Sequence, residues 1–505
     1  MKGIFEKYYR QLNAEQKKAV DMIDGPVMVI AGPGTGKTQI LTLRIANILK
    51  RTDISPDSIL ALTFTDSGAY SMKKRLSEII GAEAHRVHID TFHGFANKII
   101  ADHPDSFPRI IGSRNISAIE QIKIMEKIIF SSRLSHLKPY GDNSHYVRPV
   151  LDMIRNLKRE DISVKELKKI LDGQKKEYAS IKDLKHKSGP HEGKVRGEYQ
   201  KLDKYIKKNK ELFFLYEKYE KRLAKGRLYD YEDMIMEVVR AFEENKNLLL
   251  EIQEEYQYIL ADEHQDSNKG QNRLLELLAD FYASPNLFIV GDEKQAIFRF
   301  QGASLENFRY FQKLYPKAEL ITLKNNYRST QMILDNAGNL LPSELKAKTA
   351  GKEEPVSLYS FFSPKEEYAF LAKDVKRRKG EIAILYRDNK DAFPIAEAFE
   401  MAGVPFVIES DQDILSDADI GKLILLLRAV NNLGDEELKS QVLFIDFLGL
   451  NPLEVYKYFR GKKSAEVEKF NKKLVRWNML GHNQNLVEFF GALAGESGFM
   501  DHIIS

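Results

Sequence analysis

Residues 27–40 read VMVIAGPGTGKTQI, and this stretch decides the fold of the chain. An apolar run typical of a buried strand leads into a glycine-rich turn, and helix-forming residues follow from Lys37. Gly34 and Gly36 permit a tight loop whose backbone N–H groups point at phosphate oxygens. The N-terminus of the following helix adds positive potential at the same place. The pattern therefore predicts a P-loop, the phosphate-binding turn of nucleotide-binding proteins.

The lysine and the threonine that end the loop have separate predicted roles. Lys37 can reach the β- and γ-phosphates of ATP, and Thr38 can hold Mg²⁺. The alternative is a glycine-rich turn without a ligand, and the register of strand, Lys-Thr pair and helix argues against it. The predicted nucleotide-binding residues of this stretch are Ala31, Gly32, Pro33, Gly34, Thr35, Gly36, Lys37, Thr38 and Gln39.

A second apolar stretch, YILADEHQDS at 258–267, ends abruptly in carboxylates. In P-loop proteins a second strand supplies an acidic contact to Mg²⁺, so we expect Asp262 to be that contact. Glu263 would orient or deprotonate the attacking water, which favours hydrolysis over simple nucleotide binding. A transition-metal site that includes His264 is the alternative, but the chain offers no matching ligand cluster elsewhere. For His264 we therefore favour a structural or relay role.

The pattern along the chain predicts an α/β fold with a parallel sheet. Six apolar runs, which include the two stretches above, are typical of buried parallel strands: 26–32, 59–65, 256–262, 286–292, 318–324 and 380–388. Helix-period segments such as 38–50 and 67–80 separate them, which implies right-handed strand–helix–strand units. The stretch from about 105 to 225 interrupts this alternation and is expected to be a helical insertion. The chain is expected to be helical again from about 412.

Composition narrows the class of protein. A chain of 505 residues is too long for one hydrophobic core, so several domains are expected. It has no cysteine, which excludes disulfides and thiolate metal sites and fits a cytoplasmic location. No apolar run is long enough for a membrane span, and no signal peptide is expected. Residues 155–227 hold 23 lysines and arginines against 12 acidic residues. This basic block is either a solvated helix surface or a face that follows a polyanion.

With these motifs placed, the chain resembles the UvrD/Rep/PcrA group of superfamily 1 DNA helicases. LNAEQKKAV (12–20) resembles the Q motif, LTFTDSGAYSMKKRL (62–76) motif Ia and IDTFHGFA (89–96) motif Ib. ILADEHQDSN (259–268) resembles motif II, usually DEYQD, and IVGDEKQAIFRFQGA (289–303) resembles motif III. LKNNYRST (323–330) resembles motif IV, and LYDYEDMI (228–235) matches a further segment of the family. The resemblance runs from Leu12 to the end of the chain.

The resemblance implies P-loop RecA-like parallel-sheet domains with helical insertions. The first RecA-like domain would comprise 1–105 and 226–317, with a helical insertion at 106–225. The second would begin at 318–410, and 411–505 would start a second helical insertion. Motifs V and VI, with sequences like GLEF and YVALTRA, do not appear after Ser329. We therefore expect a downstream segment or a second chain to supply them.

The resemblance also assigns roles to single residues. Gln16 would read the adenine edge and Tyr327 would stack on adenine, while Gln295 would sense the γ-phosphate and Arg328 would contact it. The implied catalytic set is Lys37, Asp262, Glu263, Gln295 and Arg328. Aromatic rings at strand ends can stack on unpaired bases, and hydroxyl and imidazole groups there can bond to phosphates. The implied DNA-binding residues are Thr63, Phe64, Thr91, Phe92, His93, Phe298 and Phe300.

Together these features predict an ATP- and Mg²⁺-dependent 3′→5′ DNA helicase acting on single-stranded DNA and on single/double-strand junctions. Two departures concern DNA contacts: Gln301 stands where relatives commonly have arginine, and Asp66-Ser67 replace the usual Asn-Lys of motif Ia. The alternative is a truncated ATP- and DNA-binding fragment without turnover, acting as a structural module. A P-loop kinase is a third class, and the aromatic set including Phe64, Phe92 and Phe300 argues against it.

Overall fold

The computed structural model describes residues 2–138, 144–184, 193–295, 306–349, 351–408 and 418–504. The chain divides into two compact units, Met1–Ser357 and Leu358–Ser505, and each is described by itself. Among the described residues, no helix combines the length and the apolar character needed to cross a membrane.

The strands confirm the predicted α/β class. They are β1 (Val27–Ala31), β2 (Ile59–Thr63), β3 (His88–Thr91), β4 (Arg114–Asn115), β5 (Leu228–Tyr229), β6 (Tyr258–Ala261), β7 (Leu287–Gly291), β8 (Glu319–Leu323), β9 (Asn325–Asn326) and β10 (Lys346–Ala347). Six of them form one parallel sheet in the order β3-β2-β6-β7-β1-β8. The two short ladders, β4 with β5 and β9 with β10, are also parallel.

The helices of the first unit are α1 (Lys2–Arg10), α2 (Ala14–Asp21), α3 (Lys37–Arg51), α4 (Asp66–Ile80), α5 (Phe92–Asp102), α6 (Ala118–Phe130), α7 (Val147–Arg159), α8 (Val164–Ala179), α9 (Gly197–Gly226), α10 (Tyr231–Glu244), α11 (Lys246–Glu255), α12 (Lys269–Ala279), α13 (Glu306–Leu314) and α14 (Gln331–Leu340). Those of the second unit are α15 (Pro364–Arg377), α16 (Ala392–Ala402), α17 (Ala418–Asn431), α18 (Glu436–Val442), α19 (Pro452–Phe459), α20 (Ala465–Asn483), α21 (Leu486–Glu496) and α22 (Phe499–Ile504).

Hydrophobic cores cover both faces of the six-stranded sheet. In β1, Val27 and Val29 point into one core while Met28 points into the other, as the two-residue period of a strand requires. The first core contains the P-loop helix α3, and the second contains α5, α10 and α12. The strands are apolar on both faces because helices cover both faces, which explains why the sequence shows continuous apolar runs.

The expected helical insertion is present between the sheet strands β3 and β6. Helices α6, α7, α8 and α9 pack around a core of their own that includes Met125, Ile154, Leu215 and Tyr219. The β4–β5 ladder joins the two ends of this segment, since Arg114–Asn115 pairs with Leu228–Tyr229. The insertion therefore leaves and rejoins the sheet domain at one place.

Strand β8 belongs to the first sheet, although the sequence interpretation placed residues 318–410 in the second domain. Backbone pairing of Glu319–Leu323 with Val27–Ala31 makes β8 the edge strand beside β1. The chain then continues through β9, α14 and β10 before the second unit begins at Leu358. An edge strand pairs on one side, and β1 is the neighbour that β8 pairs with.

The second unit confirms the expected helical character after 412, but the strand predicted at 380–388 is wrong for the described residues. That segment has no regular secondary structure and no pairing strand, and Leu385 is 94% exposed. An apolar segment becomes a strand when a neighbour supplies hydrogen-bond partners, so the apolar pattern alone does not suffice. Helices α15 and α16 pack around Ala372, Phe399 and Val404. Helices α17 to α22 enclose a separate core around Trp477.

A buried cluster of charges joins the helical insertion to the sheet domain. Lys158 of α7 lies 2.6 Å from Asp230 and 2.9 Å from Asp233, both at the start of α10. It also lies 2.8 Å from Glu220 of α9. Arg109 adds a second cation, 3.0 Å from Glu220 and 3.5 Å from Asp233. A buried charge of this kind is tolerated because each carboxylate has a cation beside it.

We expect Lys158→Met to destabilise the helical insertion by about 3–5 kcal/mol, since the substitution leaves buried carboxylates without their central cation. The loss should shrink as pH falls from 8 to 5. Unpaired buried carboxylates take up protons more readily in the folded variant than in the unfolded chain, so acid stabilises the variant relative to the parent. Urea unfolding at both pH values measures this, with the exposed ion pair of Lys221 removed by Lys221→Met as the control. Equal losses for the two variants would contradict the prediction.

Candidate functional site

The predicted phosphate loop lies between β1 and α3. Ala31 is the last residue of β1, the loop spans 32–36, and α3 begins at Lys37 with Gln39 in its first turn. Gly34 and Gly36 have φ angles of +68° and +91°, which favour glycine. A Cβ at Gly34 would also lie 2.7 Å from Cβ of Arg328. The N-cap residue of α3 is Gly36, which has no side chain to bond the first N–H groups of the helix, so Gly36 leaves them available to an anion.

The predicted acidic residues face this loop from the end of β6. Lys37 Nζ lies 3.0 Å from Glu263 Oε2. Glu263 is held in the left-handed region at φ +47°, and its backbone N–H donates to Asp262 Oδ1 at 2.9 Å. Enclosure by protein, with the neighbouring charge of Glu263, raises the pKa of Asp262 to about 7. A strained backbone at a cleft is typical of a functional position.

A chain of hydrogen bonds links these carboxylates to the end of β7. Gln265 Nε2 donates to Glu263 Oε2 at 2.8 Å, and Gln265 Oε1 accepts the backbone N–H of Asp292 at 2.9 Å. Gln295 Nε2 then donates to Asp292 Oδ2 at 2.8 Å. A Cβ at Gly291 would lie 2.4 Å from Gln265 Oε1, so only glycine leaves room for this amide. The predicted residue Gln295 is thus connected to Glu263 through two side chains.

The two carboxylates and the side chains of Gln265 and Gln295 line a cleft of about 380 Å³ at the carboxyl edge of the sheet. Its lining residues are Thr38, Thr63, Phe64, Thr65, Gly68, Ser71, Asp262, Glu263, Gln265, Asp266 and Gln295. The Thr38 hydroxyl and the Asp262 carboxylate are oxygen donors, which are the ligands that Mg²⁺ prefers. The donor set therefore fits the predicted magnesium ion.

The residues predicted to contact adenine lie against the other side of the loop. Gln16 Nε2 donates to the carbonyl of Thr35 at 2.8 Å. The backbone N–H of Tyr327 donates to the carbonyl of Gly34 at 2.8 Å, and its hydroxyl accepts from Asn13 Nδ2 at 3.2 Å. Arg328 follows directly and its side chain is exposed. The structure thus brings the predicted Gln16, Tyr327 and Arg328 to the phosphate loop.

Asn326 is a positioning residue that the sequence interpretation missed. Its side chain is fully buried, and its Nδ2 donates to the carbonyl of Pro33 at 2.6 Å. Its Oδ1 accepts the backbone N–H groups of Arg328 and Ser329 at 2.8 and 2.7 Å. The asparagine therefore fixes the 327–329 turn against the loop. The sequence feature that could have identified Asn326 is its position inside LKNNYRST.

The residues predicted to contact DNA lie at the ends of β2 and β3, except that Phe298 and Phe300 lie outside the described residues. Phe64 is half-buried and lines the cleft. Thr63 is buried and donates to the carbonyl of Thr65 at 2.9 Å, and Thr91 caps α5. Phe92 is a correction: its side chain is 2% exposed within the hydrophobic core, so its ring has no face for a base.

A stacked aromatic pair marks a further position that the sequence interpretation missed. The rings of His93 and Tyr231 lie 3.8 Å apart at an angle of 18°. Burial, with a smaller contribution from the charge of Arg159, lowers the pKa of His93 to about 4, so its ring is neutral at pH 7. Tyr231 is 49% exposed and begins α10. The position of Tyr231 inside LYDYEDMI is the sequence feature that could have identified it. The structure shows that its ring forms an aromatic surface of the size of a base beside motif Ib.

His264 has a structural position. Its ring lies edge-on to Phe308 and Phe311, and burial lowers its pKa to about 4. Its Nδ1 has no hydrogen-bond partner among the described residues, and a cavity of about 20 Å³ adjoins it. Within the described part of the chain, the three-residue clusters with metal-ligand spacing lie elsewhere. The structural role favoured for His264 agrees with this apolar setting.

We expect the free energy of unfolding to fall as pH drops from 6.5 towards 4, because the unfolded chain protonates His264 in this range and the folded chain does not. At pH 5 the protonation of His264 in the unfolded chain lowers the free energy of unfolding by about 2 kcal/mol. His264→Tyr, the residue usual in motif II, should remove this part of the pH dependence, whereas the exposed His85→Asn should not. Denaturant unfolding at several pH values measures it, and an unchanged slope in His264→Tyr would refute the assignment.

Known proteins resemble the chain over most of its length. The UvrD/REP helicase N-terminal domain matches residues 12–316, and the UvrD-like helicase C-terminal domain matches 321–460. ATP-dependent DNA helicase PcrA of Staphylococcus epidermidis is 29% identical over 464 residues, 89% of this chain and 58% of that protein. PcrA of Staphylococcus aureus is 29% identical over 461 residues, 88% of this chain and 57% of the relative. The chain thus spans less than two thirds of the length of these relatives. Since the first match alone covers more than half of it, the chain belongs to the UvrD/REP helicase family.

Proposed function

We propose that the chain carries the ATP- and DNA-binding machinery of a 3′→5′ DNA helicase that couples ATP hydrolysis to strand separation in DNA repair, replication or recombination. The observation that carries the proposal is the 3.0 Å salt bridge between Lys37 and Glu263. A phosphate-binding lysine facing a carboxylate across one cleft is the arrangement that nucleotide hydrolysis uses. The staphylococcal relatives are named ATP-dependent DNA helicases, and the polarity rests on the family resemblance. The cytoplasm is the expected compartment.

At the nucleotide site each residue has a distinct proposed role. Lys37 binds the β- and γ-phosphates, and the N–H groups of the 32–36 loop bind their oxygens. Thr38 and Asp262 hold Mg²⁺, which when bound offsets the negative charge of the phosphates. Glu263 orients the attacking water and accepts its proton. Gln16 and Tyr327 contact adenine, and Arg328 contacts the γ-phosphate.

The hydrogen-bonded chain through Gln265 and Asp292 supports the proposed role of Gln295. A change at Glu263 alters the acceptor of the Gln265 amide, whose oxygen holds the backbone of Asp292. Asp292 in turn holds Gln295. We propose that this connection passes the state of the γ-phosphate to the residues that follow Gln295, which include Phe298 and Phe300.

Single-stranded DNA is the proposed partner at the carboxyl edge of β2 and β3. Phe64 follows β2, His93 follows β3, and Tyr231 stacks on His93. Bases stack on such rings without regard to sequence, which suits a translocating protein. The basic block at 155–227 would follow the phosphates or the duplex beyond a single/double-strand junction.

The proposed domain layout follows the family: 1–105 with 226–317, the insertion at 106–225, a second RecA-like domain from 318 to 410, and a further insertion from 411. Residues 318–357 are the exception, since they belong to the first compact unit and β8 completes the first sheet. We propose that motifs V and VI come from a downstream segment or a second chain. Exposed apolar residues in segments of the second unit that lack regular secondary structure support this, including Leu358, Phe362, Leu385 and Val407. The same observation favours the second candidate, a nucleotide- and DNA-binding fragment without turnover.

We expect single-stranded DNA to raise the ATPase rate of this chain in the presence of Mg²⁺. Lys37→Ala should abolish turnover and weaken ATP binding, because the phosphates lose their cation. Glu263→Gln should keep ATP binding and slow turnover by about 10²–10⁴-fold, the usual worth of a general base. Lys50→Ala is the matched control, since Lys50 lies in the same helix and pairs with Glu6 at the surface.

The ATPase assay with and without a thymidine oligonucleotide, combined with equilibrium ATP and DNA binding, separates the candidates. Tight binding of both ligands without turnover would select the fragment. Absence of DNA binding at low salt would overturn both.

We expect Tyr231→Ala to weaken binding of single-stranded DNA by about five- to 100-fold, the worth of one base–aromatic stack. Tyr231→Phe should bind like the parent because it keeps the ring. The slope of log affinity against log salt should not change, because no phosphate contact is lost. Tyr282→Ala is the control, since this exposed tyrosine lies in the connection that enters β7, at the opposite edge of the sheet. Fluorescence anisotropy at several salt concentrations measures all four proteins, and equal affinities of the two alanine variants would refute the role of Tyr231.

A further inference from the structure

Arg44 is a buried cation about two helical turns beyond the phosphate loop. It lies in α3, is 1% exposed, and forms no salt bridge within the residues that the structure describes. Its Nη1 donates to the carbonyl of Ala19 at 2.8 Å and its Nη2 to the carbonyl of Ile23 at 3.1 Å. The guanidinium lies 4.4 Å above the ring of Phe288, and the Nε of Arg44 has no hydrogen-bond partner in the described part of the chain. Its described polar contacts are therefore carbonyls at the end of α2.

Two neighbours on the same face of α3 bind the same helix end. Asn47 Nδ2 donates to the carbonyl of Val20 at 3.0 Å, and Arg51 Nη1 donates to the carbonyl of Asp21 at 2.9 Å. Positions 44, 47 and 51 recur at helical spacing, so they form one row. The last carbonyls of a helix are unsatisfied and carry the negative end of its dipole, which a cation complements. The row therefore fixes the C-terminal end of α2.

The opposite end of α2 carries the residue proposed to read adenine. Asn13 and Gln16 cap this end reciprocally: the backbone N–H of Gln16 donates to Asn13 Oδ1, and the backbone N–H of Asn13 donates to Gln16 Oε1. Gln16 Nε2 donates to the loop carbonyl of Thr35. A helix of eight residues is about 12 Å long, so α2 is a short rigid element fastened at both ends to one P-loop unit.

The chemistry of Arg44 favours positioning over simple stability. A buried arginine without a carboxylate loses much of its hydration, and an apolar residue of similar length would fill the site without that loss. What an apolar residue cannot do is hold the carbonyls of Ala19 and Ile23 at defined positions. The planar guanidinium does this because its donors are rigidly arranged.

We propose that Arg44 is a positioning residue for nucleotide-base selection: by fixing the end of α2, it sets the place of the Gln16 amide against the phosphate loop. The inference rests on the proposed function, in which Gln16 reads adenine. A glutamine amide pairs with N6 and N7 of adenine, whereas guanine presents an acceptor in place of the N6 donor. The phosphate contacts are common to ATP and GTP. Misplacing Gln16 should therefore weaken ATP binding and leave GTP binding almost unchanged.

The test measures equilibrium binding by displacement of a fluorescent ATP analogue with unlabelled ATP and GTP, which requires no turnover. We expect Arg44→Met to lower ATP affinity about tenfold and GTP affinity less than twofold, about the worth of one lost hydrogen bond to the base. Gln16→Ala should have the same effect, and the double variant should lose no more than either single one. Asn47→Ala, which removes one carbonyl contact, is the milder variant in case Arg44→Met does not fold.

The control is Ile45→Ala, a buried neighbour on α3 that destabilises the helix without removing a contact to the α2 carbonyls. It should change ATP and GTP affinity equally or not at all. One outcome overturns the inference: Arg44→Met and Asn47→Ala keep the ratio of ATP affinity to GTP affinity of the parent, while Gln16→Ala lowers that ratio. An equal loss of ATP and GTP affinity in Arg44→Met and Asn47→Ala also overturns it. In both cases the proposed function stands. If the parent binds ATP and GTP equally, the inference is also overturned. A parent that binds neither nucleotide contradicts the proposed function itself.

Discussion

The salt bridge between Lys37 and Glu263 depends on the parallel order of the central sheet. In the order β6-β7-β1 the acidic strand and the P-loop strand are two spacings apart, about 10 Å. Because the strands run parallel, the residues that follow them emerge at one edge, where ligands bind in α/β proteins. The long side chains of Lys37 and Glu263, which follow the two outer strands, close that distance. Asp292, at the end of the middle strand, is bonded to Gln265 and Gln295. Reversal of β1 or of β6 would separate the lysine from the carboxylates.

The same edge concentrates the backbone positions with the strictest steric limits. Gly34 is in contact range of Arg328, Gly291 of Gln265, and Glu263 itself lies in the left-handed region. At Gly34 and at Gly291, the backbone of one segment lies close to a side chain of another segment. The close approach keeps the cleft small enough for one lysine to reach a carboxylate, and it leaves Asp262 with a raised pKa near 7. A divalent cation beside Asp262 would favour its charged form, so the geometry that raises the pKa also creates a place for Mg²⁺.

Much of this arrangement was predictable because its signals are local. Strand β1, the loop and α3 are contiguous, and the apolar runs that became β2, β6, β7 and β8 are complete in themselves. The errors arose where structure depends on distant partners. The sequence cannot state that β8 pairs with β1, or that 380–388 has no pairing strand in the described residues. Phe92 and Tyr231 show the same limit for side chains: the ring in the recognised motif is buried, and the exposed ring belongs to a helix that begins 139 positions later. Arg44 was equally hidden, because its partners are backbone carbonyls and these have no sequence signature.

The aromatic surface at Tyr231 and the buried charge cluster share one helix end, so the proposed DNA contact would depend on the packing of the helical insertion. Asp230 caps α10 through the N–H of Asp233, and both carboxylates contact Lys158 of the insertion. Tyr231 is the next residue, and its ring lies on His93 at the end of β3. A rotation of α7 relative to the sheet domain would therefore either move the Asp230 carboxylate or break its ion pair with Lys158. Both changes occur at the residue next to Tyr231, whose ring stacks on His93. Since breaking a buried pair is far more costly than a small rigid shift, the insertion and the ring should move together. The packing of the helical insertion would thus help to position the ring proposed to hold DNA, although the core of the insertion is separate.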